Sequence, residues 1–401
     1  MIGKDSNLKE IFDWVTANDV GDSLSVKDIL NDHQPEKITI DELLSCLRVY
    51  PEKILLIDAR SENEFRESSI PHSKNFPVLT NEERHNVGFI YKKYSQSAAV
   101  RLALNYAGPK SEDLSKFLSD NNAPEKKIIV YCWRGGGRSA YLSKMISDLG
   151  FNTATLISGF KSFRNAVNIF FSSEPFEYGL LEISGLTGCG KTDLIKSVQN
   201  KLPVIDLENA AKHFSSLLGR IPYEIRGIPE VSGQSEFENN IFSGIKLNGS
   251  EISVFDYPLL PFLIESESKR VGKFDVPEKL YAKMEISPSV KITGSLEKRV
   301  ERIVKDYFSD KEKGTGLMLE LFRNKGNFFK QQLSNKIFDE LIELLNQGKV
   351  FEFTEIMIRD YYDKRYREKK KNPGLIINSD DMIKASEELT GYYMEKYQNK
   401  S

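Results

Sequence analysis

Two glycine loops, each set between a short apolar run and a helical pattern, put the strongest limits on how this chain folds. The first, Cys132-Trp133-Arg134-Gly135-Gly136-Gly137-Arg138-Ser139, follows Lys127-Ile128-Ile129-Val130-Tyr131. The second, Gly185-Leu186-Thr187-Gly188-Cys189-Gly190-Lys191-Thr192, follows Gly179-Leu180-Leu181-Glu182-Ile183-Ser184. A short apolar run that ends at a glycine turn suits a strand buried on both faces. Such strands belong to parallel sheets covered by helices. Strand, loop and helix in that order, twice over, predict an α/β chain with two parallel sheets.

The remaining pattern agrees. Ile54 to Ile57, Thr153 to Ile157, Val204 to Asp206, Ile252 to Phe255 and Pro261 to Glu265 read as further strands. Helices are expected over Ser139–Leu149, stopped by Gly150, and over Thr192–Asn200. Another is expected up to Leu47, with Asp41 as its N-cap. From Ser295 the pattern becomes helical and charged, over Leu296–Tyr307, Met318–Phe322, Phe328–Leu345, Thr354–Lys371 and Asp380–Gln398. Phe170 to Pro175 reads as a hinge. The expected organisation is an N-terminal extension over 1–36 with one or two short helices and a first α/β domain over 37–172. A second α/β domain follows over 176–300, then a helical C-terminal region over 301–401.

A length of 401 residues, 40% hydrophobic and 28% charged, fits two or three globular domains. No apolar run reaches the ~18 residues of a membrane span, and Met1 to Glu10 carries no secretory pattern. Three cysteines and four scattered histidines give neither a disulfide framework nor zinc-ligand spacing, so a reducing cytoplasm is expected. A net charge of −2 excludes a uniformly basic nucleic-acid binder. The one basic run, Lys364 to Lys371, reads most simply as a solvated helix end.

Cys132 stands at the carboxyl end of its strand, the edge where open α/β sheets bind ligands. Three consecutive glycines allow several N–H groups to face one point, the following helix adds its positive end, and Arg134 and Arg138 add charge. This setting favours a nucleophilic thiolate. Five residues separate Cys132 from Arg138, room for a tetrahedral anion above the sulfur, which also suits a cysteine-dependent phosphatase.

The second loop matches Gly-x4-Gly-Lys-Thr in full, between strand and helix, which is the context of a P-loop. The amides around Gly185, Thr187, Gly188, Cys189 and Gly190 can surround phosphate oxygens, Lys191 reaches the terminal phosphate, and Thr192 is the position that holds magnesium. No apolar strand ending in Asp stands out as its usual partner; Val254-Phe255-Asp256 and Leu263-Ile264-Glu265 come nearest. A mononucleotide and a non-nucleotide diphosphate both remain open as its ligand.

Residues 38 to 170 resemble the rhodanese family. The matching stretches are Asp58-Ala59-Arg60, Glu64-Phe65, and Ile70-Pro71-His72-Ser73-Lys74-Asn75-Phe76-Pro77, followed by Cys132. A longer stretch, 38 to 371, resembles the tRNA 2-selenouridine synthase family. It includes Val87-Gly88-Phe89-Ile90-Tyr91-Lys92, Cys132-Trp133-Arg134-Gly135-Gly136, and Ile205-Asp206-Leu207-Glu208 with His213 and Ser216. Gln234 with Phe237-Glu238, Ile264 to Ser268 with Arg270-Val271-Gly272, Arg299-Val300, Asp306-Tyr307 and Tyr361-Tyr362-Asp363 with Tyr366 complete it. Phe214-Ser215 departs from the family's Arg-Gly, and residues before 37 and after about 375 match nothing.

That resemblance implies an enzyme that replaces sulfur by selenium in 2-thiouridine at the tRNA wobble position. The sulfur is first alkylated by geranyl diphosphate held at the P-loop; selenium from selenophosphate then displaces it. Cys132 would carry selenium as a perselenide, with Arg134, Gly135, Gly136, Gly137 and Arg138 receiving the phosphate. Asp206, Glu208, His213, Glu265 and Glu267 would orient substrate, the two last by holding an ammonium or magnesium, unless they form a surface acidic pair. Trp133, Arg270, Tyr361, Tyr362, Arg365 and Tyr366 are the expected tRNA contacts, with helix packing the alternative for the tyrosines. An NTPase or kinase carrying a sulfur-transfer module is the competing reading.

Overall fold

The computed structural model describes residues 6–18, 21, 23–31, 33–172, 176–252, 254, 260–366 and 372–397. The chain forms two compact units, Met1–Ile169 and Phe170–Ser401.

In the first unit five strands, β1 (Glu36–Ile38), β2 (Ile54–Asp58), β3 (Lys74–Asn75), β4 (Lys127–Tyr131) and β5 (Thr153–Leu156), lie in the order β1-β5-β4-β2-β3, all pairs parallel. β4 lies between β5 and β2, so Ile128, Ile129 and Val130 are almost wholly buried. Each such side chain contributes roughly 1.5–3 kcal/mol of burial. Leu114 and Leu118 of the helix Ser111–Asp120, and Leu142 and Ile146 of Gly137–Asp148, help cover the sheet. The extension does contain two short helices, but it is not merely appended. Ile11 and Val15 of Leu8–Ala17 enter the same core. The helix Ile40–Val49 is capped by Thr39 in a capping box with Glu42, not by Asp41.

The second unit holds β6 (Gly179–Ser184), β7 (Val204–Ile205), β8 (Pro261–Glu265), a small antiparallel pair β9 (Arg270–Val271) and β10 (Phe274–Asp275), β11 (Ser289–Thr293) and β12 (Leu375–Asn378). Its parallel sheet runs β12-β11-β6-β8-β7. Neither β11 nor β12 stands out in the sequence, because polar residues interrupt β11 and only three apolar residues make up β12. In β12 only Ile377 is buried. The tail after 375 is therefore no addition. It supplies an edge strand, and the helix Met382–Tyr397 lays Ala385, Leu389 and Tyr393 on the core, with Tyr393 Oη donating to the Pro261 carbonyl at 2.6 Å. The expected strand at Ile252–Phe255 falls largely outside the described residues, as do much of the hinge over 170–175 and the basic residues 367–371.

Between β11 and β12 lies a helical cluster built on Phe322, Phe329, Phe338 and Phe353, with the first two rings stacked at 4.1 Å. The single helix expected over Phe328–Leu345 is two, Gly326–Leu333 and Asn335–Asn346, broken at Ser334, whose φ is 99°. The helix Val350–Ile356 runs on through a π-helical stretch, Met357–Tyr362.

Candidate active sites

In the first unit, Cys132 is the residue after β4 and is 4% exposed. Its carbonyl accepts from the Phe160 amide at 2.8 Å, and that of Trp133 accepts from Lys161 at 3.0 Å, which pins the loop to the helix Gly159–Ser172. Two glycines permit this approach. Gly135 has φ +65°, and a Cβ there would meet the Leu156 carbonyl oxygen at 2.8 Å. Gly159 has φ +55°, and a Cβ there would meet the Cys132 carbonyl oxygen at 2.0 Å.

Among the described residues, no acceptor takes the amide N–H of Trp133, Arg134, Gly135, Gly136, Gly137 or Arg138. Ser139 Oγ lies 3.2 Å from Cys132 Sγ and 3.0 Å from the Gly136 carbonyl. Arg138 pairs with Glu64 through two nitrogens, at 2.6 and 3.3 Å, and Arg84 adds a third contact at 3.1 Å. Burial alone would raise the Glu64 carboxyl, but the Arg138 guanidinium outweighs it and holds the group at about 2. Arg134 is exposed. Trp133 is 41% exposed, its ring 5.6 Å from Phe160. In front of the sulfur lies a cavity of about 550 Å³ with walls of Val78, Leu79, Val87, Val100, Leu104 and Tyr141.

Asp58 and Arg60, the motif residues that end β2, form a buried bidentate pair, and the guanidinium lies 4.1 Å from the Phe160 ring centre. They brace the sheet edge rather than face this cavity.

In the second unit the lysine loop joins central β6 to the helix Lys191–Val198. The amides of Thr187, Gly188, Gly190, Lys191 and Thr192 have no acceptor among the described residues. They border a cavity of about 260 Å³ that Glu208, Ser215, Ser216, Glu267, Arg302, Asp306, Tyr307 and Tyr366 also line. Lys191 Nζ donates to the Gly185 carbonyl at 3.1 Å. Thr192 Oγ1 donates to Glu208 at 2.9 Å, and the Ser215 amide donates to its other oxygen at 3.0 Å.

Glu265 ends β8, beside β6, and is wholly buried. Leu263-Ile264-Glu265, one of the two nearest sequence candidates for the acid that accompanies a P-loop, is thus a strand, with Glu in place of Asp at its end. Glu208, Glu265 and Glu267 bring carboxylate oxygens within 4.8 Å of one another, so they are no surface acidic pair. Neither oxygen of Glu265 has a hydrogen-bond partner among the described residues. Burial, then the charges of Glu208, Asp206 and Glu267, push its carboxyl well above the ordinary range. Burial pulls the Lys191 ammonium down, but Glu267, Glu208 and Glu265 outweigh it and raise it. Hard oxygen donors converging beside a P-loop threonine, with one carboxylate unpartnered, fit a divalent cation such as magnesium.

Other expected residues lie apart from this cavity. Asp206 caps the helix Leu207–Ala211 through the Asn209 amide at 2.8 Å. The His213 ring packs against Gly272, its Nδ1 buried without a partner among the described residues, and burial lowers its pKa. Cys189 is buried, and burial raises its thiol pKa. Arg270 is exposed and paired with Asp275 at 2.8 Å. Tyr361 is 7% exposed within the helical cluster, 5.8 Å from Phe329, which corrects its reading as an RNA-stacking ring. Tyr362 packs against it and reaches Ser216 at 3.5 Å. Arg365 lies over the Tyr361 ring and bonds Gln332. Tyr366 instead borders the lysine-loop cavity.

Sequence reasoning assigned no role to Glu64, Ser139, Arg299 or Arg302. Arg299 Nε donates to the Thr187 carbonyl at 2.8 Å and its guanidinium grips Asp363. Arg302 lines the cavity and bonds the Ser379 carbonyl. The spacing of Arg299, Arg302 and Asp306 along Leu296–Tyr307 is the signal that could have exposed this helix face.

Comparison with known proteins bears on both units. The tRNA 2-selenouridine synthase AAA domain matches residues 179–396, more than half the chain, and the rhodanese-like domain matches 41–166. Proteins described as tRNA 2-selenouridine synthase are similar. That of Bdellovibrio bacteriovorus is 31% identical over 67% of this chain and 68% of its own length, and that of Cupriavidus pinatubonensis 28% over 81% and 92%. That of Nitrosomonas eutropha is 32% identical over 63% of this chain, and the match spans 62% of that relative, a little under two thirds. A solved N-terminal domain of a putative ATP/GTP binding protein from Clostridium difficile 630 is 30% identical, covering 33% of this chain and 98% of its own, with a TM-score of 0.30. A family match longer than half the chain, together with relatives of this identity and coverage, means that the chain belongs to the tRNA 2-selenouridine synthase family.

Proposed function

We propose that this protein replaces the sulfur of wobble 2-thiouridine in tRNA with selenium, by way of an S-geranyl intermediate. The observation that carries this reading is one chain of this family holding both a nucleophile loop and a diphosphate loop, each with unpaired amides. Thiocarbonyl sulfur is a poor leaving group until it is alkylated. Alkylation by geranyl diphosphate requires a cradle for the departing diphosphate, and Lys191 with the unpaired amides of Thr187, Gly188, Gly190, Lys191 and Thr192 would serve as one. Thr192, Glu208, Glu265 and Glu267 would hold magnesium there, which would neutralise charge on the leaving group. The nest around Cys132 suits the phosphate of selenophosphate, and the apolar cavity in front of it suits the prenyl chain of the intermediate. tRNA is the macromolecular substrate on this reading, with exposed Trp133 the aromatic ring best placed to meet a splayed base. No described helix is long and apolar enough to cross a membrane.

Nucleoside mass spectrometry of tRNA from cells carrying each variant tests it. Lys191→Ala should lose both S-geranyl and seleno nucleosides, whereas Cys132→Ala should lose 2-selenouridine alone and accumulate the S-geranyl form. Normal 2-selenouridine in either variant overturns the assignment. Glu265 at the end of the strand beside the P-loop is also where an NTPase places its acid. ATP turnover that disappears in Lys191→Ala, with tRNA unmodified throughout, would favour that second reading.

A further inference from the structure

Resting on selenophosphate as donor, we propose that Cys132 is a phosphoryl acceptor: it breaks the phosphorus–selenium bond and releases hydrogen selenide beside the base.

Electron counting gives the first reason. Selenium in selenophosphate is already at the selenide level, bound to phosphorus(V). If the Cys132 thiolate took selenium as a perselenide, phosphorus would leave with the bonding pair as phosphite. If the thiolate attacks phosphorus, a sulfur–phosphorus bond forms and the phosphorus–selenium bond breaks. The pair then leaves on selenium as hydrogen selenide, and nothing is oxidised or reduced. Hydrogen selenide adds to C2 of the S-alkylated uridine and expels the alkyl thiolate, which takes a proton. Water then cleaves the sulfur–phosphorus bond, returning the thiol and inorganic phosphate.

Geometry gives the second. Six consecutive amides, from Trp133 to Arg138, have no acceptor among the described residues, and Trp133, Arg134, Gly136, Gly137 and Arg138 line the cavity beside the sulfur, where a phosphoryl group on Cys132 would lie. Glu64 fixes the Arg138 guanidinium at this loop by a two-point pair. Ser139 Oγ, 3.2 Å from the sulfur, has a single proton. With Cys132 protonated, that proton rests on the Gly136 carbonyl oxygen at 3.0 Å. When the sulfur departs from phosphorus as a thiolate, the hydroxyl can turn and donate to it. Ser139 is thus the positioning residue for the second half of the cycle, hydrolysis of the phosphocysteine.

The test uses full-length protein and selenophosphate carrying radioactive phosphorus, quenched in alkaline denaturant, first without tRNA and then with S-geranylated tRNA. Label is expected on the peptide containing Cys132, with phosphate as the released product. Cys132→Ala should carry none. Ser139→Ala should hold several-fold more label than wild type and release phosphate several-fold more slowly, a pattern that mere loosening of the loop would not give. Selenium on Cys132, phosphite as product, or 2-selenouridine formed by an unlabelled wild type would each overturn the proposal. A labelled wild type that makes no 2-selenouridine sinks the proposed function while keeping this site. An unlabelled one that makes it does the reverse.

Discussion

Arg138 and Glu64, 74 residues apart, hold each other through two nitrogen–oxygen contacts at 2.6 and 3.3 Å. This pair ties the first turn of the helix Gly137–Asp148, directly after the cysteine loop, to the helix Glu62–Glu67 that follows β2. Because the folded Glu64 carboxyl sits at about 2, below its ordinary value, its contribution to stability is full above about pH 4.5 and is lost as pH falls toward 2.

Glu64→Gln should therefore cost about 1–2 kcal/mol at neutral pH, since the pair is half-buried and only partly screened. Urea unfolding at a series of pH values checks it. The gap between variant and wild type should close as the pH approaches 2, and a gap that is constant with pH would show that the charge is not what stabilises.

Glu265 behaves in the opposite sense. Its folded carboxyl is raised, so ionising it opposes folding, and stability falls as pH rises above the unfolded value of ~4.5. Glu265→Gln should raise the melting temperature by roughly 2–4 °C near pH 8, with the gain vanishing near pH 4. Magnesium should stabilise wild type and leave the variant nearly unmoved. A thermal scan in which both respond equally to magnesium would remove Glu265 from the cation site.

Gly159→Ala places a methyl group against the Cys132 carbonyl oxygen at a positive φ. We expect a loss of about 2 kcal/mol or more, combining backbone strain with displacement of the loop. Seleno-nucleoside formation should fall further than S-geranyl formation, because only the first needs Cys132 in register. Equal loss of both products would mean the fold as a whole has weakened.

Tyr361→Ala should unfold the helical cluster, at a cost of about 3–5 kcal/mol, whereas Tyr361→Phe should be tolerated. Filter binding of tRNA to the folded phenylalanine variant should match wild type. A large loss of affinity in that variant would restore Tyr361 as an RNA contact.

Much of the fold was legible because two of its strands are largely apolar runs at the centres of their sheets. Ile128 to Val130, and Leu180, Leu181 and Ile183 around the buried Glu182, have neighbouring strands on both sides, so burial dictates most of their composition. Edge strand β12 and short β11 escaped notice because β12 has three apolar residues, of which only Ile377 is buried, and polar residues interrupt β11, so neither run is long enough to stand out from a loop. The same limit explains Tyr361. A tyrosine among basic residues looks like an RNA contact until the π-helical turn directs it inward.

By itself the sequence determined the two loops, their strand-to-helix setting, the sulfur and the lysine, because local backbone geometry and glycine content define an anion nest without help from distant residues. Only the tertiary structure decided what surrounds them. Ser139 beneath the sulfur, Glu64 on Arg138, and Glu208 converging with Glu265 and Glu267 from a separate segment beside Thr192 are contacts made by folding. Charge interactions act through space, and spacing along the chain says little about which carboxylates share a few ångströms once water has been excluded.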